Sequence, residues 1–319
     1  MTSTQQLITT GAVARSLNII GDRWSLLILR EVFLGNYHFE TIQKHTGTPR
    51  GTLTRRLKSL VFNGVLYRNP YQRAPVRFEY RLTDKGLDLY PWALAVWLWE
   101  QKWGREDNSL NLPPKLLHKA CNNIVTPLYK CGECLYELHY RDIRYAAGPA
   151  ADKAEPALAL GTQRHSKQKA DNGLSTGTSS IHISDLIGDR RTALVVSGAF
   201  WGLRRFGDFE RELKIATNIL ADRLKVLVKH EIFVRKAYQD NPPRYEYRAL
   251  EKANDLYPVI LSLHQWGSTW LEERGAVLTL IHKCGKEAFT VECTCNHCER
   301  KLNPADISFT FEEDEEVHA

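Results

Sequence analysis

The strongest constraint on what this chain can fold into is that it repeats itself. Gly21-Asp22-Arg23 recurs as Gly188-Asp189-Arg190, an offset of 167 residues. Without a gap, the same offset carries Phe33 onto Phe200, Gly35 onto Gly202, Phe39 onto Phe206, Leu53 onto Leu220 and Arg56-Leu57-Lys58 onto Arg223-Leu224-Lys225. It also carries Tyr80-Arg81 onto Tyr247-Arg248, Leu89-Tyr90-Pro91 onto Leu256-Tyr257-Pro258, and Trp99 and Trp103 onto Trp266 and Trp270. Two copies at so long a period are duplicated domains, because solenoid repeats are shorter and need more units to bury a core. Between the copies, 146–180 is rich in Ala, Gly, Ser, Thr, Lys and Gln and almost free of aromatic residues. It has too little apolar surface to offset its ordering entropy, so a flexible linker is expected.

Within the first copy, apolar positions fall at helical spacing over 11–20 and 23–34, and Gly35-Asn36 marks a stop. Phe39 and Ile42 open a third short helix, Gly47 to Pro49 make a turn, and a fourth helix runs from about Arg50 to Phe62 before Asn63-Gly64. Short helix, tight turn, second helix is the helix-turn-helix arrangement. Val65 to Tyr67 read as extended, Pro70 to Pro75 as a hairpin tip, and Val76, Phe78, Tyr80 and Leu82 alternate with Arg77, Glu79 and Arg81, a two-stranded wing. From Thr83 a long helix rich in Leu and Trp follows, more apolar than one small domain requires, which predicts burial against a partner.

At 100° per residue, Leu53, Leu57 and Leu60 form the inward stripe of the fourth helix. Arg55 and Lys58 then project outward, Thr52 and Thr54 flank them, and Arg50 stands near the N-terminus, where recognition helices reach base edges. With Arg68, Arg73 and Arg77 on the wing, the first copy offers a basic face for a duplex. In the second copy Ile219, Ala221 and Asp222 replace Thr52, Thr54 and Arg55, so that face is less basic. Thr217, Asn218, Lys225, Arg235, Lys236 and Arg244 still offer contacts. A pairing role for the second copy stands beside DNA contact there.

These residues resemble the HxlR-type winged helix-turn-helix family of bacterial transcriptional regulators. The matching features are Ile20-Gly21-Asp22-Arg23-Trp24, Phe39 with Ile42, Leu53 to Leu60, Gly64-Val65-Leu66 and Tyr80-Arg81-Leu82-Thr83 with Gly86. The second copy repeats Ile215, Leu220, Arg223-Leu224-Lys225 and Pro242-Pro243-Arg244-Tyr245-Glu246-Tyr247. The resemblance implies a dimer whose terminal helices pair, and a response to a small-molecule effector or reactive species. Several relatives carry a cysteine just before the first helix; this chain has Gly11 there and Thr178 in the second copy. The fusion itself leaves two pairings open, an intramolecular pseudo-dimer or a homodimer.

All seven cysteines fall in two tight clusters, which suits metal or thiol chemistry in a reducing compartment better than a secreted disulfide framework. The first cluster is His118, Cys121, Cys131 and Cys134; the second is His282, Cys284, Cys293, Cys295 and Cys298. Each places a CxxC after a His/Cys pair, the ligand arithmetic of a structural Zn²⁺ site with four protein donors. Free thiols or CxxC redox pairs are the alternatives. The second cluster has one donor to spare, either Cys293 or His282.

The expected fold is therefore mainly α with small β wings: winged helix-turn-helix domains at 11–106 and 181–274, Cys/His modules at 113–145 and 277–311, and an acidic tail at 312–319. The net charge of +6, with Glu312 to Glu316 offsetting a more basic body, leans toward a polyanionic partner. No stretch approaches the roughly 20 apolar residues needed to cross a bilayer, and a cytoplasmic protein without membrane contact is expected. The chain has no HExxH, no phosphate-binding Gly-rich loop and no Gly-x-Ser-x-Gly elbow, which argues against an enzyme. Sequence-specific binding of double-stranded DNA by a transcriptional regulator is the leading expectation, and a winged-helix protein-interaction scaffold is the alternative.

Overall fold

The computed structural model describes residues 4–104, 112–153 and 181–310. The first copy comprises α1 (Thr4–Thr10), α2 (Ala12–Ile20), α3 (Arg23–Phe33), α4 (Phe39–Thr46), α5 (Arg50–Phe62), β1 (Leu66–Arg73), β2 (Val76–Leu82), α6 (Asp84–Leu87) and α7 (Tyr90–Trp103). A segment of short strands follows: β3 (Lys115–His118), β4 (Asn123–Ile124), β5 (Pro127–Cys131) and β6 (Ile143–Ala147). The second copy comprises α8 (Ile183–Leu186), α9 (Arg190–Phe200), α10 (Phe206–Leu213), α11 (Thr217–Lys229), β7 (Phe233–Gln239), β8 (Arg244–Ala249), α12 (Glu251–Asn254) and α13 (Tyr257–Trp270). It ends in β9 (Leu278–His282), β10 (Val291–Cys295) and β11 (Ile307–Thr310). Among the described residues no helix is long and apolar enough to cross a membrane.

The helix-turn-helix segments lie where the periodicity places them. Gly47 adopts a φ of +63° between α4 and α5, and Lys214 makes the same left-handed turn at +51° between α10 and α11. The wing differs in detail. β1 continues through Pro70 to Arg73, and a register shift between Pro70 and Gln72 accommodates the proline, so the hairpin tip is only Ala74-Pro75. The helix expected from Thr83 is broken: Thr83 caps the single turn α6, and α7 restarts with Pro91 in its first turn. The helix α1, not foreseen from the sequence, packs on α10 of the other copy.

The repeated Gly-Asp-Arg motif marks the place where the copies meet. Asp22 caps α3 by accepting from the Trp24 and Ser25 N–H groups, and Asp189 caps α9 through Thr192. The backbones of Asp22 and Asp189 bridge each other directly. Arg23 pairs with Asp185 at 2.6 Å, and by the same offset Arg190 donates to Asn18. Around this pseudo-two-fold centre α13 packs on α2 and α7, while α8 packs on α3 and α7. The Trp99 indole donates to the Lys252 carbonyl at 2.9 Å and Trp266 to that of Lys85 at 2.7 Å; Trp103 and Trp270 donate to Asp255 and Asp88. The surplus apolar surface of the long helices is thus spent on the other copy, and one continuous core runs through both.

The two Cys/His segments are not separate modules. β5 pairs with β10, β3 with β11 and β6 with β9, each pair joining the first segment to the second. Strands of five residues or fewer cannot stand as isolated hairpins, and pairing across the duplication gives each a partner. The flexible linker expected from residue 146 is corrected at its start, since Ala146 and Ala147 pair with Thr279 and Leu278, and Ala151–Lys153 form a 3₁₀ turn. The rest of that stretch, 154–180 with Thr178, and the acidic tail at 312–319 lie outside the described residues.

Candidate DNA-reading face and metal centres

On α5, Leu53, Leu57 and Leu60 are fully buried, and Arg50, Thr54, Arg55 and Lys58 are exposed with Thr52 half-buried. The Arg50 guanidinium lies over the Phe39 ring at 4.9 Å, which fixes it at the start of the helix. Arg68, Arg73 and Arg77 are exposed along the wing, Arg68 stacking on Phe78. Arg56, adjacent to these in sequence, is turned inward and pairs with Asp22 at 3.1 Å, as Arg223 pairs with Asp189 at 2.6 Å. Each pair ties a recognition helix to the capped helix at the two-fold centre.

The second copy builds the same surface with weaker chemistry. Thr217, Asn218 and Lys225 on α11 and Arg235, Lys236 and Arg244 on its wing are exposed. The Thr217 hydroxyl is already engaged by Glu210, and Arg235 lies 3.8 Å over the Tyr245 ring. Asp222 is exposed where the first copy has Arg55, so the centre of this face repels phosphate.

Exposed wing aromatics were missed in the sequence, because Phe78 alternates with Arg77 and Glu79 as an inward residue would, and Tyr67 and Tyr71 fall in the extended stretch and the hairpin tip with no pattern of their own. Tyr67, Tyr71 and Phe78 are instead exposed at 45%, 44% and 38%. His38, just before α4, packs edge-on against Tyr71 at 4.5 Å, coupling the wing to the helix-turn-helix. At the wing's base the Glu79 carboxylate accepts from Arg81 at 2.8 Å and Asn69 at 2.6 Å. These donors, Arg81 foremost, hold its pKa below the ordinary carboxylate value.

The thiol and imidazole groups assemble into two clusters, each drawn from both segments. One is His118, Cys121, Cys295 and Cys298; the other is Cys131, Cys134, His282 and Cys284. Within each, one donor atom per residue lies within 4.8 Å of all the others. His118 Nδ1 is 3.4 Å from both Cys121 Sγ and Cys298 Sγ, and Cys121 Sγ is 3.8 Å from Cys295 Sγ. In the second, His282 Nδ1 is 3.2 Å from Cys284 Sγ and 3.5 Å from Cys134 Sγ. Zn–S bonds of about 2.3 Å at tetrahedral angles separate two sulfurs by roughly 3.8 Å, so the donor sets fit a tetrahedral ion.

This corrects the grouping read from spacing, which joined His118 and Cys121 to Cys131 and Cys134. Strand pairing between β5 and β10 brings the two CxxC loops to opposite ends of one small sheet, and each loop meets the His/Cys pair of the other segment. Cys293 belongs to neither cluster. It is fully buried opposite Tyr129 in that sheet, and burial pushes its thiol up to about 12. The signal was present in the sequence. At the modules' own offset of 164, Cys131, Cys134 and His118 fall on Cys295, Cys298 and His282, whereas Cys293 falls on Tyr129.

The HxlR-like helix-turn-helix family profile matches residues 19–108 and 186–275. The chain is 39% identical over 140 residues to an uncharacterized HTH-type transcriptional regulator of Mycobacterium tuberculosis, a match spanning 43% of this chain and 86% of the relative. It is 34% identical over 101 residues to one from Synechocystis, covering 31% and 75%. A third, YvaP of Bacillus subtilis, is 34% identical over 90 residues, covering 28% and 83%. With both copies matched and the winged helices in place, the chain belongs to the HxlR-like helix-turn-helix family and is a DNA-binding transcriptional regulator.

Proposed function

We propose that the chain reads double-stranded DNA as an intramolecular pseudo-dimer, α5 and α11 entering neighbouring major grooves and the two wings lying on the backbone. The observation that carries this reading is the two-fold frame: Asp22 and Asp189 bridge at its centre, and the same residues hold Arg56 and Arg223 on the recognition helices. The relatives support it, since 140 residues that make up 86% of the M. tuberculosis regulator imply a chain of about half this length. In this reading Arg50, Thr52, Thr54, Arg55 and Lys58 face base edges and Arg68, Arg73 and Arg77 neutralise phosphate. Thr217, Asn218, Lys225, Arg235, Lys236 and Arg244 make a weaker second half. The units span 11–106 and 181–274, and the composite Cys/His body is built from 113–147 and 277–310.

The two clusters are structural zinc sites. Each supplies four protein donors and leaves no position for a reacting water, so zinc there would supply cross-linking rather than catalysis. Each ion would clasp the first half of the chain to the second. Seven cysteines without a disulfide among them suit the reducing cytoplasm in which bacterial DNA is read. The exposed Asp222 and Ala221 favour a second reading for α11 alone, as a surface that meets a protein.

Selection from a random duplex library at physiological salt, with zinc present and thiols reduced, tests the proposal. Two enriched half-sites about one helical turn apart are expected from a chain that is monomeric in solution. A single half-site would assign α11 to protein contact, and no enrichment would refute sequence-specific reading.

A further inference from the structure

An apolar cavity of about 60 Å³ lies in the first copy between α3, α7 and the strands β3 and β11 of the Cys/His body. Two of its lining residues, Tyr90 and Trp92, are 4% and 3% exposed, yet the Tyr90 hydroxyl and the Trp92 indole N–H have no hydrogen-bond partner among the described residues. A buried donor left unpaired is costly enough that such groups are normally answered by protein, water or ligand.

The duplication supplies an internal comparison, because the second copy sets larger, mutually packed rings at the corresponding positions. Leu34 on the cavity wall corresponds to Trp201, and Phe309 on β11 corresponds to Tyr145 on β6 by strand register. There Tyr145 packs on Trp201 at 5.0 Å, and Tyr140 packs on Phe200 and Tyr257 at 5.4 and 6.2 Å. Both unpaired groups are resolved as well. Tyr257, the counterpart of Tyr90, has the Tyr145 hydroxyl 3.3 Å from its own, and Val259, with no polar atom, stands for Trp92.

We infer that the first copy's cavity is a binding site for a small, uncharged, ring-bearing molecule that carries one hydrogen-bonding oxygen. The ring suits walls formed by Phe33, Tyr90, Trp97 and Phe309, and the oxygen answers Trp92 or Tyr90, whose polar atoms are closed off in this structure and come within reach as the wall opens. The ligand is uncharged because the one cation in the wall, Arg30, is spoken for by Glu31 at 2.6 Å. About 60 Å³ is less than half of the roughly 150 Å³ that holds benzene in an engineered cavity. Entry therefore displaces Leu34 and Phe309, which retain some exposure. The α3 wall is joined to α5 by the Asp22–Arg56 pair, which gives an occupant a route to the DNA-reading helix. That last step rests on the DNA-binding reading; the binding site does not.

The test is a fluorine NMR titration of the full, zinc-loaded chain with para-fluorophenol, and with para-fluorotoluene as the ring without its oxygen. Saturable binding of the phenol is expected, with the toluene at least tenfold weaker. The L34W/F309Y variant writes the second copy's residues into the first and should bind the phenol at least tenfold more weakly. Trp92→Phe, which keeps a ring and loses only the N–H, should weaken it about threefold to tenfold. Thermal melting checks that both variants fold, and duplex titration without ligand measures DNA binding separately. No saturable binding up to the solubility limit, undiminished binding by folded L34W/F309Y, or equal binding of phenol and toluene would each overturn the proposal.

Discussion

If the two Cys/His clusters are shared between the halves of the chain, pairs of cysteine substitutions should report which residues act together. The native chain is expected to hold two zinc ions, one per cluster. Cys121→Ser, Cys295→Ser and Cys131→Ser should each leave one. The double variant Cys121→Ser/Cys295→Ser strikes a single cluster and should still hold one ion, whereas Cys121→Ser/Cys131→Ser strikes both and should hold none. Grouping by sequence spacing predicts the reverse for both doubles. The readout is zinc per chain by plasma mass spectrometry after dialysis against a weak chelator. The stability effect is bounded as well. Treated as a cross-link closing the 174 residues between Cys121 and Cys295, one clasp contributes at most about 5 kcal/mol by the chain-entropy model. The realised value is smaller, because β5–β10 pairing and the α2–α13 contact already close the same loop. A fall in Tm of no more than about 10 °C per lost ion is expected. One ion retained by Cys121→Ser/Cys131→Ser, with none in Cys121→Ser/Cys295→Ser, would refute the shared clusters.

Arg55→Ala should cost about 1–3 kcal/mol on the preferred duplex and flatten discrimination among bases, while Arg73→Ala weakens all duplexes alike and lowers the salt slope by about one; binding isotherms over a salt series separate them. Gly267→Ala drives a Cβ to 2.5 Å from the Ala12 carbonyl and the Ser16 hydroxyl where α13 crosses α2, and should destabilise by about 1–3 kcal/mol in urea unfolding. Gly207→Ala meets nothing within 4 Å at an exposed position of α10 and should stabilise by about 0.4–1 kcal/mol, so equal effects from the two would contradict the packing. Burial lowers the His264 pKa from 6.5 to about 4. The unfolded chain therefore binds the extra proton first, and stability that is complete above pH 6.5 is lost as the pH falls toward 4, by about 3 kcal/mol at most. His264→Gln should flatten that slope, and an unchanged slope would assign it to other groups.

What the sequence made legible follows from period. Leu53, Leu57 and Leu60 recur at helical spacing and are buried together, and the two wing strands pair where the sequence places them, but their alternation does not report burial, since Val76 and Phe78 are exposed and Glu79 is buried. Partner choice was not legible, for a physical reason. In a duplicated chain each short strand and each CxxC has two chemically equivalent partners, one nearby and one in the other copy, and ligand counting scores them equally. Only geometry separates them: β5 and β10, too short to stand alone, complete one sheet, and the loops at its two ends then face the opposite His/Cys pair. Helix α1 escaped because its seven residues carry no periodic stripe; it forms where α10 covers it.

Comparing the copies with each other separates what the duplication has kept from what it has changed. Asp22 and Asp189, Trp99 and Trp266, and Trp103 and Trp270 do the same work on both sides of the pseudo-two-fold axis. The outward faces diverge, with Asp222 for Arg55, Ile219 for Thr52 and Ala221 for Thr54. A homodimer must present one face twice and so favours a palindrome, but a fused pair is free of that requirement. The operator is therefore expected to be unequal, with one half-site read closely by Arg50, Arg55 and Lys58 and the other held mainly through phosphates by Lys225, Arg235 and Arg244. Base-by-base substitution across the selected duplex should cost about 1–3 kcal/mol at positions in the first half-site and much less in the second. Asp222→Arg should raise affinity for all duplexes by removing a repelling charge. A palindromic operator with equal penalties in both halves would show that α11 reads bases as α5 does, despite Asp222, and would overturn the assignment of unequal roles.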